Sequence, residues 1–510
     1  MVVKPCLPKR YVFAIMGFLV TLVSYMMRTS LEVTISSMIN ETVVIDSQQY
    51  DPHSCPDLTV MLNQTDAATT ELMEPGVFDW DSNTIKSVSS AFRTAYIMTQ
   101  FLGGMVAERR GGKNIMGISL ITMSIATFVI PFASKLIGSK ALYVLRFLTG
   151  MASGTIIPIL VSMMTKWVPK DEQAFIGSII LPGSLIGFVA GSWLGDLMLT
   201  TIGWEAVFYM FGMFGVICSF VWMKLIFSTP NEHPTISGGE KRYLNEHLTS
   251  LERTTKYELD PIAMKAFLRC GALWGTVMGY IGREWAFAIF TTQAPQFIRD
   301  VLRLDITLSP IFVYMPYVVM WLSALLFGFI CDIIIKKEFC STKNARKIFT
   351  AIGTIGAATC IIIMMYSGCN PILAILCMFT GMSLLGAFYS GCMIGAIDIA
   401  PNYSGSTIGV IDNIAINSAL LLPGINGLIV TDALLRQWRL SLWIVVVLLL
   451  VCIALYMYYV KAEQMWWDDV RKNGYPDNWK HGLLSCEGLI DENGKSIYKE
   501  NKKDDSVNEL

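Results

Sequence analysis

A series of long apolar stretches, among them 114–134, 205–227, 371–397 and 440–460, constrains this chain more than any other feature. A helix needs about 20 residues to cross the hydrocarbon core of a bilayer, and each stretch is that long. Inside hydrocarbon the backbone must satisfy its own hydrogen bonds, so only helices and closed barrels span it. The runs are continuous and lack the every-second-residue alternation of barrel strands, so they read as helices. Composition agrees: 53% of residues are hydrophobic and 15% charged, and mean hydropathy is +0.51. A soluble domain carries about 25% charged residues.

Spans are expected near 11–38, 84–106, 114–134, 141–165, 174–200 and 205–227. A polar stretch at 228–265 follows, then spans near 266–298, 311–335, 345–367, 371–397, 406–431 and 440–460. The expected architecture is an all-α membrane protein with an N-terminal six-helix half (1–227), a central loop (228–265), a C-terminal half (266–460) and a charged tail (461–510). Segment 39–83 holds nine acidic residues and no Lys or Arg, whereas Lys9, Arg10, Arg109, Arg110, Lys113, Lys336 and Lys337 flank spans at the other face. The positive-inside rule therefore places both termini in the cytoplasm and 39–83 outside, where Asn40 and Asn63 sit in glycosylation sequons. The first span follows basic residues as a signal peptide would, but it is too long and contains Arg28, so it is expected to stay. Of the twelve cysteines most lie singly within spans and Cys55 lies in the outer loop; they read as small apolar core residues. No Cys/His cluster suggests a metal, so no cofactor is expected beyond a coupling ion, sodium or proton.

The two halves carry matching landmarks. Gly104, Glu108, Arg109, Gly111 and Lys113 close the second span, and Gly328 with Asp332, then Lys336 and Lys337, close the eighth. This turn reads as a structural brace or gate. Arg28 and Arg283 fall at similar depths in the first and seventh spans. An arginine inside a span costs about 2.5–3.5 kcal/mol on insertion scales, so each needs a reason. Guanidinium grips carboxylate or phosphate bidentately, and two arginines at equivalent depths would face one cavity and attract anions. Tyr25 lies one turn from Arg28, and Tyr96 is a further cavity candidate. Arg93, well inside the second span, reads as the partner of Glu284, as a third positive charge in the cavity, or, failing both, as a strained lipid-facing residue.

The Gly104–Lys113 turn resembles the signature of the major facilitator superfamily. Several stretches resemble more narrowly its anion transporters, the group of sialin, vesicular glutamate transporters and sodium–phosphate cotransporters. They are Phe78-Asp79-Trp80-Asp81, Tyr96 to Gln100 with Gly103-Gly104, Lys166-Trp167-Val168-Pro169, Gly203 to Tyr209, Thr229-Pro230 with His233 and Ile236-Ser237, and Asp398-Ile399-Ala400-Pro401. The resemblance implies twelve helices in two pseudo-symmetric halves and makes Arg28 and Arg283 the substrate arginines. It also exposes departures: Thr149 and Ser153 stand where sialin-like members carry fourth-helix glutamates, and Glu284 replaces the usual serine. Weak proton coupling is expected on that account, with sodium or the membrane potential as the drive unless Glu284 or Asp412 substitutes as the coupling group. The expected function is secondary transport of a small anion, phosphate or carboxylate, by a monomer in contact with lipid, the plasma membrane being slightly favoured. A transporter-derived anion receptor is the alternative. No nucleophile–base pair suggests an enzyme, and no nucleic-acid partner is expected.

Overall fold

The computed structural model describes residues 8–39, 78–248, 267–302, 304, 310–431 and 434–469. Asn40, Asn63 and Cys55 lie outside them. The first six spans are Lys9–Met38, Ser82–Arg110, Gly112–Ile137, Ser139–Trp167, Lys170–Thr201 and Trp204–Leu225. The seventh runs through Gly271–Ala288, the wide turn Ile289–Gln293 and Ala294–Leu302. The remaining five are Pro310–Lys336, Thr342–Met365, Pro371–Ile399, Ser404–Ile429 and Leu435–Tyr459. Ten of the twelve are apolar enough to cross a membrane on composition alone. The second and seventh fall short; the one contains Lys86, Arg93 and Glu108, the other the adjacent Arg283 and Glu284. Large apolar side chains such as Ile118, Phe132, Trp193, Phe220 and Leu428 are exposed on the bundle, where only lipid could cover them.

Each half packs chiefly within itself. The second span lies along the fourth, the third along the fourth and sixth, and the first along the fifth and sixth; the seventh and ninth lie along the twelfth. The halves meet along two seams, second against eleventh and fifth against eighth. Proline and glycine interrupt three spans beside the central space. Pro182 breaks the fifth, a tighter turn Gly386–Tyr389 breaks the tenth, and Pro423 sits in the eleventh.

The stretch read as a central loop contains a helix, Gly238–His247. Ser237 caps it by accepting from the Glu240 backbone N–H, and Glu240 in turn accepts from the backbone N–H groups of Lys9 and Arg10 at 2.9 and 3.1 Å. The loop thus clips the start of the first span, satisfying N–H groups that a helix leaves orphaned. Sequence reading missed it because the segment is polar all round. Beyond the twelfth span the chain stays on the protein as far as Asp468. That buried carboxylate accepts from the backbone N–H groups of Asn402 and Tyr403 and from the Gln464 amide. One cysteine departs from the core reading: Cys369, between the ninth and tenth spans, is disulfide-bonded.

The most deeply buried ion pair was also unforeseen. Arg346 in the ninth span donates to Asp398 in the tenth at 2.9 Å, with side chains 1% and 8% exposed, and its other nitrogen donates to the Ser390 carbonyl. Removing one member of such a pair strands a charge at a cost of about 3–5 kcal/mol. Arg346→Met should sharply lower the yield of monodisperse protein and its melting temperature in detergent, and adding Asp398→Leu should recover much of both. Equal behaviour of the single and double variants would contradict the pairing argument.

Candidate anion-binding cavity

At the centre of the bundle lies a cavity of about 280 Å³ walled by spans 1, 2, 4, 5, 7, 8, 10 and 11. Arg28 and Arg283 both line it, from opposite halves. The register of the first span, with Tyr25, Arg28 and Glu32 at intervals of three and four, puts these three on one face.

The arginines are held alike but neutralised differently. The Arg28 guanidinium lies 5.2 Å from the Tyr25 ring centre, 5.3 Å from Phe92 and 5.6 Å from Tyr96. Arg283 lies 5.0, 5.6 and 5.5 Å from Phe287, Phe388 and Tyr389, and donates to the Tyr389 hydroxyl at 2.9 Å. Each aromatic cage holds a cation through the negative faces of its rings, worth about 0.5–2 kcal/mol per contact, and leaves the guanidinium N–H edge available. Arg283 also forms an ion pair with its neighbour Glu284. Arg28 has no carboxylate within ion-pair distance among the described residues, so its N–H fork is free toward the cavity.

Asp412 on the eleventh span lines the cavity too, and its carboxylate accepts from the Gln100 side-chain amide of the second span at 2.8 Å. Both coupling candidates read from sequence thus lie in the cavity wall. Glu32, which that reading passed over, is there as well and exposed. Its signal was available, since it stands one turn after Arg28. Arg146 does not line the cavity; it is 4% exposed, with its guanidinium 5.3 Å from the Phe92 ring centre and, among the described residues, a single 3.4 Å hydrogen bond to the Arg28 carbonyl.

Arg93 requires a correction. It is exposed, absent from the cavity wall and not paired with Glu284, which belongs to Arg283. Its neighbours Phe92 and Tyr96 turn toward Arg28, and Arg93 lies one residue round the helix. It stands instead one turn from Ile97, whose carbonyl accepts from Asn413 of the eleventh span. On this face the two spans are packed at the basic end and apart at the other. A Cβ on Gly104 would come within 2.3 Å of the Gly405 backbone, whereas Gly424 and Gly427 meet nothing within 4 Å, and Ser87, Ser90, Arg93 and Thr94 are all exposed.

The signature turn closes the basic end. Glu108 accepts from the backbone N–H and hydroxyl of Ser406 at 2.7 and 2.6 Å, at the start of the eleventh span. Asp332 accepts from the Ala174 and Phe175 N–H groups at 3.2 and 2.8 Å, near the start of the fifth. In each half an acid thus holds the positive end of a helix from the other half, an electrostatically favourable cap. Gly111, at φ +84°, makes a turn that a side chain would strain, and its missing Cβ leaves room for the Ser228 hydroxyl, which accepts from the Lys113 N–H at 3.2 Å. The Lys113 ammonium caps the Phe227 ring at 3.6 Å. Arg109 takes no part in the brace; it is exposed and forms no ion pair among the described residues.

Twelve spans in two halves, a charged cavity on the axis between them and an acid clamp repeated at both seams define a secondary transporter. The chain belongs to the major facilitator superfamily, whose family model matches residues 17–422. Its relatives are that superfamily's anion transporters. A Drosophila melanogaster protein named for inorganic phosphate cotransport is 27% identical over 472 residues, covering 91% of this chain and 87% of that protein. Human sialin is 28% identical over 466 residues, covering 91% of each. Among solved structures, a proton:xylose symporter bound to 6-bromo-6-deoxy-D-glucose superposes with a TM-score of 0.64 at 12% identity, covering 89% of this chain and 97% of the other, which speaks to the fold alone. The family consists of transporters, not enzymes.

The different neutralisation of the two arginines gives unequal expectations. Arg283→Ala strands Glu284, whose side chain is 13% exposed, and should lower the melting temperature of purified protein by several degrees, toward a loss of about 3 kcal/mol. Arg283→Ala combined with Glu284→Gln should restore melting. Arg28→Ala strands nothing and should melt within about a degree or two of wild type. Thermal unfolding in detergent checks this; a larger loss for Arg28→Ala than for Arg283→Ala would contradict it.

Proposed function

We propose that this protein carries a small anion, inorganic phosphate or an organic carboxylate, across a membrane by alternating access, with Arg28 and Arg283 gripping the anion between the halves. One observation carries the reading: Arg28 presents an unpaired guanidinium to the cavity from an aromatic cage, opposite a second caged arginine. Taking an unpaired charge out of water is expensive, and an anionic ligand in bidentate contact offsets that cost. Tyr25 and Tyr96 complete the cage, and Tyr96 sits at the packed part of the seam. A volume of about 280 Å³ is at the small end for ligand pockets and suits an anion of phosphate to sugar-acid size.

In this reading the basic end, with both termini, is cytoplasmic, and the protein works as a monomer at the cell surface with glycans on Asn40 and Asn63. The Glu108 and Asp332 clamps shut the cytoplasmic side while the second and eleventh spans stand apart outside. Rocking of the halves would break the clamps and bring Arg93 and Thr94 toward the eleventh span. Arg93 would then serve the outer mouth of the seam.

Proteoliposomes test the reading with labelled inorganic phosphate, glucuronate and glutamate. Saturable uptake of at least one is expected, falling at least about tenfold in Arg28→Ala and recovering little in Arg28→Lys, which keeps the charge but loses the fork. Saturable binding without uptake or exchange would favour the receptor alternative, to which the loss of acids at Thr149 and Ser153 lends support. Wild-type uptake by Arg28→Ala would overturn the binding assignment.

A further inference from the structure

The charges of the cavity do not sum to an anion trap. Two arginines line it, and so do three acids: Glu32, Glu284 and Asp412. Two of these are engaged, Glu284 with Arg283 and Asp412 with Gln100. Glu32 has no hydrogen bond or ion pair among the described residues, although it is exposed to the cavity and one helical turn from Arg28. It interacts electrostatically with Arg28 on its own helix, Arg146 on the fourth span and Tyr317 on the eighth. Across the cavity it faces the Arg283–Glu284 pair and Asp412. The fifth span contributes only neutral groups to this wall, Leu181, Ser184, Leu185 and Phe188.

Arg146 makes this placement informative. It is a buried arginine with no carboxylate in contact among the described residues, and among them its Nε has no hydrogen-bond partner. The residues that follow it by one and two turns on the fourth span are Thr149 and Ser153, both buried. Neither carries a charge, and Glu32 is the carboxylate that acts electrostatically on Arg146, from the first span.

Resting on the anion-transport reading above, we propose that Glu32 is the coupling carboxylate of this protein, taking up one proton as the anion binds Arg28 and releasing it when the anion leaves. With the cavity empty, Arg28 and Arg146 give Glu32 electrostatic support. An anion on Arg28 removes that support and adds a like charge beside the carboxylate, so a proton from the side to which the cavity opens forms an O–H bond there. By linkage, protonated Glu32 favours anion binding to the same degree. A metal cation fits less well, since Glu284 and Asp412 are already engaged and leave Glu32 as a single carboxylate ligand, whereas a proton needs only one. The proposal replaces the expectation of weak proton coupling, which took the fourth span as the place to look.

The test uses the full chain in proteoliposomes with labelled inorganic phosphate, glucuronate and glutamate, in sodium-free choline medium with the membrane potential clamped. Wild type should accumulate its substrate when the outside is made about two pH units more acidic. Glu32→Gln should keep counterflow exchange at equal pH but lose acid-driven accumulation by at least about tenfold, while Glu32→Asp retains part of it. Glu284→Gln and Asp412→Asn should keep the drive wherever they exchange. Acid-driven accumulation surviving in Glu32→Gln, or lost only in Asp412→Asn, overturns the proposal and leaves anion transport standing. Accumulation in wild type that needs sodium overturns it likewise. If Glu32→Gln fails to exchange, Glu32→Asp decides, and absence of any acid drive in an exchanging Glu32→Asp protein counts against the proposal. Neither accumulation nor exchange of any probe by wild type overturns the transport reading and this proposal with it.

Discussion

The cost of holding the Arg28 guanidinium away from bulk water governs the rest of this structure. A charge within a span is tolerated only if it faces protein partners or a polar cavity. Here the cavity on the axis between the halves provides that place, and three aromatic rings fix the head while leaving its donors unused. The pseudo-symmetric arginine across the cavity solves the same problem by a different route, with Glu284 beside it. One half therefore presents an open positive site and the other a neutralised one. A pseudo-symmetric fold thereby carries an asymmetric cavity, with an unpaired guanidinium among the described residues on one wall and an ion-paired one on the other.

The same economy organises the seams. Glu108 and Asp332 each cap a helix of the other half, so the acids that hold the basic end shut also satisfy backbone groups that would otherwise be orphaned. Close glycine packing at Gly104 and Gly405 lets the backbones approach closely enough for that cap to form. Toward the opposite end the glycines of the eleventh span, Gly424 and Gly427, meet open space. A seam zipped at one end and parted at the other is what a rocking transporter requires of one of its states.

Much of this was legible in the sequence. The spans, the duplicated Gly104–Glu108 and Gly328–Asp332 landmarks and the pairing of Arg28 with Arg283 follow from hydropathy and spacing, because a bilayer allows so few backbone solutions. What sequence could not supply was azimuth. Arg93 and Phe92 are one residue apart, about 100° round the helix, and only packing decides which of them faces Arg28. Glu284 could have served Arg93 or its neighbour Arg283, and proximity along the chain won. Arg346 and Asp398 lie 52 residues apart in sequence, and no local pattern announces their pairing. Glu32 stands four residues from Arg28, a spacing legible in the sequence, but only packing shows that it lines the same cavity.

Anomalous scattering from crystals of the full chain soaked with selenate, an electron-rich tetrahedral anion, would place the bound anion itself. A peak in the central cavity at about 2.7–3.1 Å from guanidinium nitrogens of both Arg28 and Arg283 is the expected result. A cavity without a peak, or a peak confined to exposed arginines such as Arg93, would contradict the assignment of this cavity as the anion site.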